Sequence, residues 1–278
     1  MLLEQLPSLT KAAYALKNNA FQLGEGALGW ASGHHPQLKG PESWSTASVF
    51  HFLHMLGRLV AEAIRRSLFE YLDQEYQAPT VSKGTRDDFC PKMLDSAIHP
   101  LDDEKQSLLD SLWRQFVYPI SKATKDVAEG RRLPEGVSTA IFFGPPGTAK
   151  TRLAKEIAKF LGWPLIVLDP SYLVRRGMDM IQAEANEIFS MLETTESVVV
   201  LLDEFDEMVR DRSIAGTEAL SRLMTTAMLP KLSRIHGRGT IVFIVATNYI
   251  DRFDVAISRL GRLDKVFQVL PPTTKEKT

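Results

Sequence analysis

A single cysteine, Cys90, occurs among the 278 residues of the chain. One thiol cannot build an intrachain disulfide framework or a thiolate zinc cluster, so a disulfide-rich scaffold is excluded and a reducing compartment is favoured. The charge is almost balanced, with 33 Lys and Arg against 34 Asp and Glu. This balance does not indicate a broadly basic nucleic-acid-binding protein, although it is compatible with a local basic patch.

Long apolar runs are also missing. No uninterrupted stretch approaches the roughly 18 residues of a membrane-spanning helix, and the opening MLLEQLPSLT is too polar and too weakly cationic for a secretory signal. Hydrophobic residues make up 44% and charged residues 24% of the chain, which excludes a disordered or fibrous protein. We therefore expect a soluble, cytoplasmic protein of about two domains with no membrane partner.

The first part of the chain, residues 1–77, is typical of an α-helical region interrupted by a glycine-rich loop at residues 24–44. After Ser45 or Thr46, either of which could cap a helix, apolar residues recur every three or four positions as far as Leu68. Charges of both signs line the other face, which favours a helix packed against a partner over one lying on a membrane surface. We expect this region to select the partner, and residues 78–100 to form a linker.

The pattern changes over residues 101–278. Short apolar runs, TAIFF, PLIVLD, SVVVLLD and TIVFIVAT, alternate with helical segments. Apolar strands without polar alternation, separated by helices, predict a parallel sheet covered on both faces. The expected fold class is therefore α/β. A helix in LDDEKQSLLDSLWRQFVYPI should precede the sheet and end at Pro119.

The segment after the strand TAIFF has the composition of a phosphate-binding loop: Gly144, Pro145, Pro146, Gly147, Thr148, Ala149, Lys150 and Thr151. Small residues expose backbone N–H groups to phosphate oxygens, and a following helix adds positive potential. Lys150 could reach the β- and γ-phosphates, and the Thr151 hydroxyl could ligate magnesium. Glycine is usual where Ala149 stands, but one methyl group is small and alanine favours helix initiation, so we expect a working loop. The alternative is a tight turn followed by a chance Lys-Thr pair.

Two acids, Asp203 and Glu204, follow the apolar strand in SVVVLLDEFDEM. The carboxyl edge of an open parallel sheet is where ligands bind, so both should lie next to the phosphate loop. Asp203 would hold magnesium, and Glu204 would act as the general base on an attacking water. A solvated acidic turn is the alternative, because Asp206 and Glu207 continue the run.

Three segments together, GPPGTAKT, LLDEFDEM and IVFIVATNYIDRFDVAISRLGRLDKVFQVLPP, resemble the motifs of the AAA family of ATPases. The resemblance extends from Leu108 to Pro272 and implies a P-loop NTPase sheet sandwiched by helices. It also implies ATP hydrolysis with Mg²⁺ and the remodelling of a protein partner. Asn248 matches the sensor that binds the γ-phosphate or the water. Arg259 and Arg262 match the arginines that enter a neighbouring subunit's ATP site, where guanidinium stabilises transition-state charge.

Two family features are absent from the sequence. Members that thread polypeptides carry an aromatic residue followed by glycine after the second strand, where this chain has Arg175, Arg176, Gly177, Met178 and Asp179. The family also continues past the last strand with a helical lid, whereas this sequence ends at Thr278. We therefore expect weak peptide threading. We expect a homo-oligomeric ring, for which the resemblance suggests six subunits, only if the natural chain has the lid.

Other candidate sites are weak. Gly24, Gly26 and Gly29 spell GxGxxG, but a helical stretch and no strand precedes them, so a dinucleotide site is not expected. His51 and His54 lack further ligands at suitable spacing for a metal. The rival functions are a nucleotide-dependent assembly switch with marginal hydrolysis and an ATPase acting on DNA. Dispersed arginine pairs and the neutral total charge argue against the second.

Overall fold

The computed structural model describes residues 3–34, 37, 39–81, 84–90, 93, 97–98, 106–204, 229–248, 250 and 264–271. Arg259 and Arg262 lie outside the described residues. The chain forms two compact units, Met1–Arg65 and Arg66–Thr278. The sequence suggested a boundary after Gln77, which is twelve residues further along the chain.

The described helices are α1 (Leu6–Asn18), α2 (Ser43–Tyr71), α3 (Leu108–Leu112), α4 (Tyr118–Ala128), α5 (Lys150–Leu161), α6 (Pro170–Val174), α7 (Ile181–Thr194) and α8 (Leu229–Arg238). The described strands are β1 (Phe21–Gln22), β2 (Leu28–Gly29), β3 (Ala97–Ile98), β4 (Gln106–Ser107), β5 (Thr139–Phe143), β6 (Leu165–Leu168), β7 (Val199–Leu202), β8 (Val242–Thr247) and β9 (Lys265–Gln268). Single 3₁₀ turns occur at Leu3–Gln5, Arg86–Asp88 and Met178–Met180.

In the first unit, polar contacts join the loop to α1 and to the start of α2. The Trp30 indole N–H donates to the Leu16 carbonyl at 2.7 Å, and the Glu42 carboxylate accepts from the hydroxyls of Ser32 and Ser45. The helix begins at Ser43, so neither Ser45 nor Thr46 is its first residue as the sequence suggested. Residues 24–29 lie in the antiparallel hairpin of β1 and β2 rather than in a strand-loop-helix unit, which agrees with the exclusion of a dinucleotide site there.

The long helix α2 meets the length and composition criteria of a membrane-spanning helix. The lack of an uninterrupted apolar run did not indicate this. Core helices of soluble proteins meet the same criteria, so this is weak support for a membrane span. The helix exposes Phe50 and Met55, and also carries the Glu62–Arg65 ion pair.

In the second unit, five described strands form a parallel sheet in the order β6-β7-β8-β5-β9. The strands β7 and β8 are buried along their whole length, as expected for a sheet covered on both faces. One face packs on α3, α4 and α5, and the other on α7, α8 and the end of α2. The predicted α/β fold class is confirmed.

Pro119 does not end the helix before the sheet. The Ser107 hydroxyl accepts from Asp110 N–H at the start of α3, five residues from Trp113 to Val117 adopt π-helical geometry, and α4 then runs to Ala128. Proline is tolerated in the first turn of a helix because its missing N–H is not needed there. The π-helical turn allows Pro119 to occupy that position, and the prediction was wrong by nine residues.

Residues 68–81 are packed against the sheet. Leu68, Phe69 and Leu72 are buried in the core. The Gln74 amide donates to the Val167 carbonyl at 2.7 Å and accepts from the Val167 N–H at 3.1 Å, so it covers the open edge of β6. Thr80 N–H donates to Gly162 O at 2.6 Å. The start of the predicted linker therefore belongs structurally to the sheet.

The buried carboxylate of Asp264, which precedes β9, binds the backbone at the start of β5. Asp264 accepts from the backbone N–H groups of Ser138 and Thr139 at 2.9 and 3.0 Å, and from the Thr139 hydroxyl at 3.0 Å. His236 of α8 lies 2.7 Å from its other oxygen. Burial raises the pKa of Asp264, but the hydrogen bonds and charge of His236 and the bonds from Thr139 outweigh it, so the pKa is lowered.

Candidate functional site

The loop after β5 is shaped by backbone crowding and by its own hydrogen bonds. A Cβ atom on Gly144 would lie 2.0 Å from the Val269 carbonyl oxygen, so only glycine fits between β5 and the chain after β9. The Thr148 hydroxyl donates to the Pro145 carbonyl at 2.9 Å and closes the turn. Gly147 has φ +80°, a conformation that glycine adopts without penalty.

Ala149 departs from the expectation for this loop. It precedes α5 with φ +67° and ψ +27°, in the left-handed region. The sequence interpretation credited alanine with helping the helix to begin, and this was wrong because the residue is not helical. Left-handed backbone is disfavoured for any residue with a Cβ, so the loop holds local strain where glycine is usual.

Lys150 is mostly buried, with 9% of its surface exposed. Its ammonium group donates to Gly144 O at 2.8 Å, to Pro145 O at 3.0 Å and to the side-chain oxygen of Asn248 at 2.8 Å. The contact with Asn248 joins the loop after β5 to the residue that follows β8. The two residues were chosen from separate motifs, and the structure brings them within hydrogen-bond distance.

The acid at the end of β7 lies against the same helix. The Thr151 hydroxyl donates to Asp203 Oδ2 at 2.6 Å. Glu204 follows with φ +58°, and its N–H donates to Asp203 Oδ1 at 3.1 Å. The three strands β7, β8 and β5 are neighbours, so their carboxyl ends place Asp203, Glu204, Asn248 and the loop along one edge of the sheet.

These residues surround a cavity of about 590 Å³. It is lined by Pro146, Gly147, Thr148, Ala149, Lys150, Thr151, Arg152, Lys155, Asp203, Glu204, Ala246, Thr247 and Asn248. The sequence analysis did not single out Arg152 and Lys155. Lys155 is four residues after Thr151 and three after Arg152, and residues three or four apart are neighbours on a helix surface, which was the available signal.

The oxygen donors at the base of the cavity fit a magnesium ion. Mg²⁺ prefers oxygen ligands and retains several waters, so one carboxylate and one hydroxyl beside a substrate phosphate suffice. Asp203 and Thr151 provide that pair. Among the described residues no cluster of three or more His, Cys, Asp or Glu could hold a metal.

Arg175 and Arg176, which the sequence analysis aligned with a family feature that is absent here, bind a buried acid. Glu184 of α7 is fully buried, and Arg175 and Arg176 both pair with it. The Tyr71 hydroxyl donates to Glu184 Oε1 at 3.0 Å, and the Arg175 guanidinium lies 4.2 Å from the Tyr71 ring centroid. The charges of this arginine pair therefore have a structural role within the fold.

Comparison with known proteins agrees with this geometry. The family described as "ATPase family associated with various cellular activities (AAA)" matches residues 140–270. Proteasome-activating nucleotidase 2 of Halobacterium salinarum is 30% identical over 213 residues, which is 76% of this chain and 48% of that protein. The ATP-dependent zinc metalloprotease FtsH of Lachnoclostridium phytofermentans is 33% identical over 152 residues, covering 54% of this chain and 26% of that protein.

A further relative, Protein SAV of Sulfolobus acidocaldarius, is 29% identical over 186 residues, or 66% of this chain and 23% of that protein. The chain spans about half or less of the length of these relatives. The matched residues 140–270 begin in β5 and extend past β9, so they include the loop, both acids and Asn248.

Proposed function

Because residues 140–270 form an AAA ATPase domain, we propose that this chain binds ATP with Mg²⁺, hydrolyses it to ADP and phosphate, and uses the cycle to remodel a protein partner. The observation that carries the proposal is the convergence of Lys150, Thr151, Asp203, Glu204 and Asn248 on one cavity. Lys150 supplies positive charge, Thr151 and Asp203 supply oxygen ligands, and Glu204 supplies a base.

Lys150 has to change partners when nucleotide binds. Its ammonium group exchanges the carbonyl oxygens of Gly144 and Pro145 for oxygens of the β- and γ-phosphates, which carry full charge and bind it more strongly. The exchange also frees Asn248 from Lys150. Asn248 can then orient the γ-phosphate or the attacking water.

Glu204 accepts a proton from the water that attacks the γ-phosphorus. A new P–O bond forms, the bond to the bridging oxygen of ADP breaks, and ADP leaves with that oxygen. A magnesium ion held by Thr151 and Asp203 would neutralise charge on the phosphates. A positioned general base contributes about a hundredfold or more to such a step.

Two substitutions test these roles separately. Lys150→Ala should weaken ATP binding by at least about tenfold because charge-assisted hydrogen bonds to phosphate are lost. Glu204→Gln should retain ATP binding and lower turnover about a hundredfold or more. Lys159→Ala, an exposed change on the same helix outside the cavity, is the matched control and should behave as the parent. Normal hydrolysis by the Glu204→Gln protein would exclude Glu204 as the base.

Shared sites between subunits are a further part of the proposal, supported by the resemblance that selects Arg259 and Arg262. An arginine supplied by a neighbour contributes on the order of a thousandfold to turnover. Arg262→Ala subunits, mixed with Glu204→Gln subunits, should regain activity because the second protein supplies Arg262 to the intact Glu204 of the first. Mixed oligomers that stay inactive would contradict sharing.

The protein client and the location are proposed on more general grounds. The names of two relatives, a proteasome-activating nucleotidase and a metalloprotease, connect them to protein substrates or a protein assembly. The single cysteine favours a reducing compartment, so we place the protein in the cytoplasm. Cell fractionation tests the location, and a salt-resistant membrane pellet would contradict it and implicate α2.

A further inference from the structure

Two cations in the cavity have no partner in the described part of the chain. Arg152 and Lys155 line the cavity together with Asp203 and Glu204. Neither cation makes a hydrogen bond or an ion pair with a described residue, even though two carboxylates line the same cavity. Other exposed arginines of this unit, such as Arg131 and Arg234, do form ion pairs.

Their place on α5 is electrostatically unfavourable without a bound anion. The helix starts at Lys150 and has no acid in its first turn. Lys150 and Arg152 therefore stand in the first turn, at the positive end of the helix dipole, where cations are disfavoured, and Lys155 adds a third positive charge in the second turn. An anion bound in the cavity would reverse this repulsion.

The position of Arg152 in the loop and helix indicates which phosphate of a nucleotide it would contact. Backbone N–H groups of such a loop hold the α- and β-phosphates, the loop lysine reaches the β- and γ-phosphates, and the threonine hydroxyl faces the metal. Arg152 lies beyond Lys150 and Thr151, one residue further into the helix and on the cavity side. The phosphate left without a side-chain cation is the α-phosphate.

We propose that Arg152 binds the α-phosphate of the nucleotide, with Lys155 adding positive potential one turn further along α5. This inference rests on the proposed nucleotide site. The α-phosphate is present in both ATP and ADP, and its charge does not change during hydrolysis. Arg152 therefore stabilises substrate, transition state and product to the same extent, and it sets affinity without setting the rate of the chemical step.

The test compares Arg152→Gln with the parent by equilibrium binding and by steady-state kinetics. The Kd values for ATP and ADP should both rise about tenfold, which corresponds to the loss of one charge-assisted hydrogen bond. KM should rise with them, and kcat should stay unchanged. Arg152→Lys should recover part of the affinity because it keeps the charge without the planar guanidinium. Lys159→Gln, on the same helix outside the cavity, should change nothing.

Phosphorothioate nucleotides locate the contact. ATP with sulfur on the α-phosphate should bind more weakly than ATP to the parent, and this difference should shrink in Arg152→Gln; ATP with sulfur on the γ-phosphate should show no such coupling. A loss of ATP affinity with unchanged ADP affinity would move the arginine to the γ-phosphate and overturn the proposal. Unchanged affinity for both would also overturn it. A parent that binds neither nucleotide would instead refute the proposed function itself.

Discussion

Replacing Ala149 by glycine should stabilise the protein, against the usual effect of adding a glycine. The residue has φ +67°, and a left-handed backbone costs an L-residue about 1–2 kcal/mol. Glycine removes that strain but gives the unfolded chain more freedom, which costs about 0.4–1 kcal/mol. The difference predicts a gain close to 1 kcal/mol, or a rise in Tm of about 2–4 °C for a domain of this size.

The same loop offers a control of opposite sign. Gly147 has φ +80°, and an added Cβ would meet no atom within 4 Å. Gly147→Ala therefore introduces backbone strain without a steric clash, and should destabilise the protein by about 1 kcal/mol. Both changes add or remove a Cβ atom at a residue with a positive φ angle. The changes in unfolding free energy should therefore be similar in size and opposite in sign.

Denaturant unfolding of the nucleotide-free proteins measures both changes, with an unchanged m-value as the condition for comparing midpoints. Thermal unfolding provides the second measurement. If Ala149→Gly leaves the midpoint unchanged or lowers it while Gly147→Ala behaves as expected, the left-handed strain assigned to Ala149 is wrong. Alanine at position 149 would then not be a strained residue that the loop tolerates, and its presence would have a different explanation.

Two further predictions concern buried acids. Glu184→Gln should cost about 2–4 kcal/mol of unfolding free energy because it leaves Arg175 and Arg176 without a buried counter-charge. Glu187→Gln, at a half-exposed residue that pairs with Arg176, should cost under about 0.5 kcal/mol in the same denaturant titration; similar losses would refute the role of burial. Asp264→Asn should cost about 2 kcal/mol at neutral pH. Since its pKa is lowered by folding, this stabilisation is complete above the ordinary value of 3.8 and disappears as the pH falls through the lowered pKa. Unfolding curves from pH 7 to pH 2 should show the two proteins converging below about pH 4, and a constant difference would contradict the assignment.

The features that the sequence predicted well are those with a strong local pattern. Apolar strands separated by helical segments predicted the parallel sheet. Strand ends predicted that Asp203, Glu204 and Asn248 would meet the loop at one edge, because carboxyl ends of neighbouring parallel strands coincide. The roles assigned to these side chains stay predictions. Arg259 and Arg262 lie outside the described residues, and their roles also stay predictions.

The features that the sequence did not predict depend on tertiary structure. Nothing in the letters around Pro119 indicates a π-helical turn that moves proline into a tolerated position. In the sequence, Gln74 is a polar residue just before the predicted linker. Its two hydrogen bonds to Val167 follow from the open edge of β6, which the sequence does not reveal. Glu184, the partner of Arg175 and Arg176, is eight or nine residues further along the chain in α7. The sequence therefore did not show which acid pairs with these arginines.

Under the proposed function, the three oxygen atoms around the Lys150 ammonium group would have a kinetic consequence for nucleotide exchange. A buried ammonium ion that lost its phosphate partners without replacement would make the emptied site a high-energy state, and product release would be slow. Here Gly144, Pro145 and Asn248 can solvate the cation when ADP leaves. The loop would thus compete with the proposed nucleotide for Lys150, which would weaken binding and lower the barrier to product release.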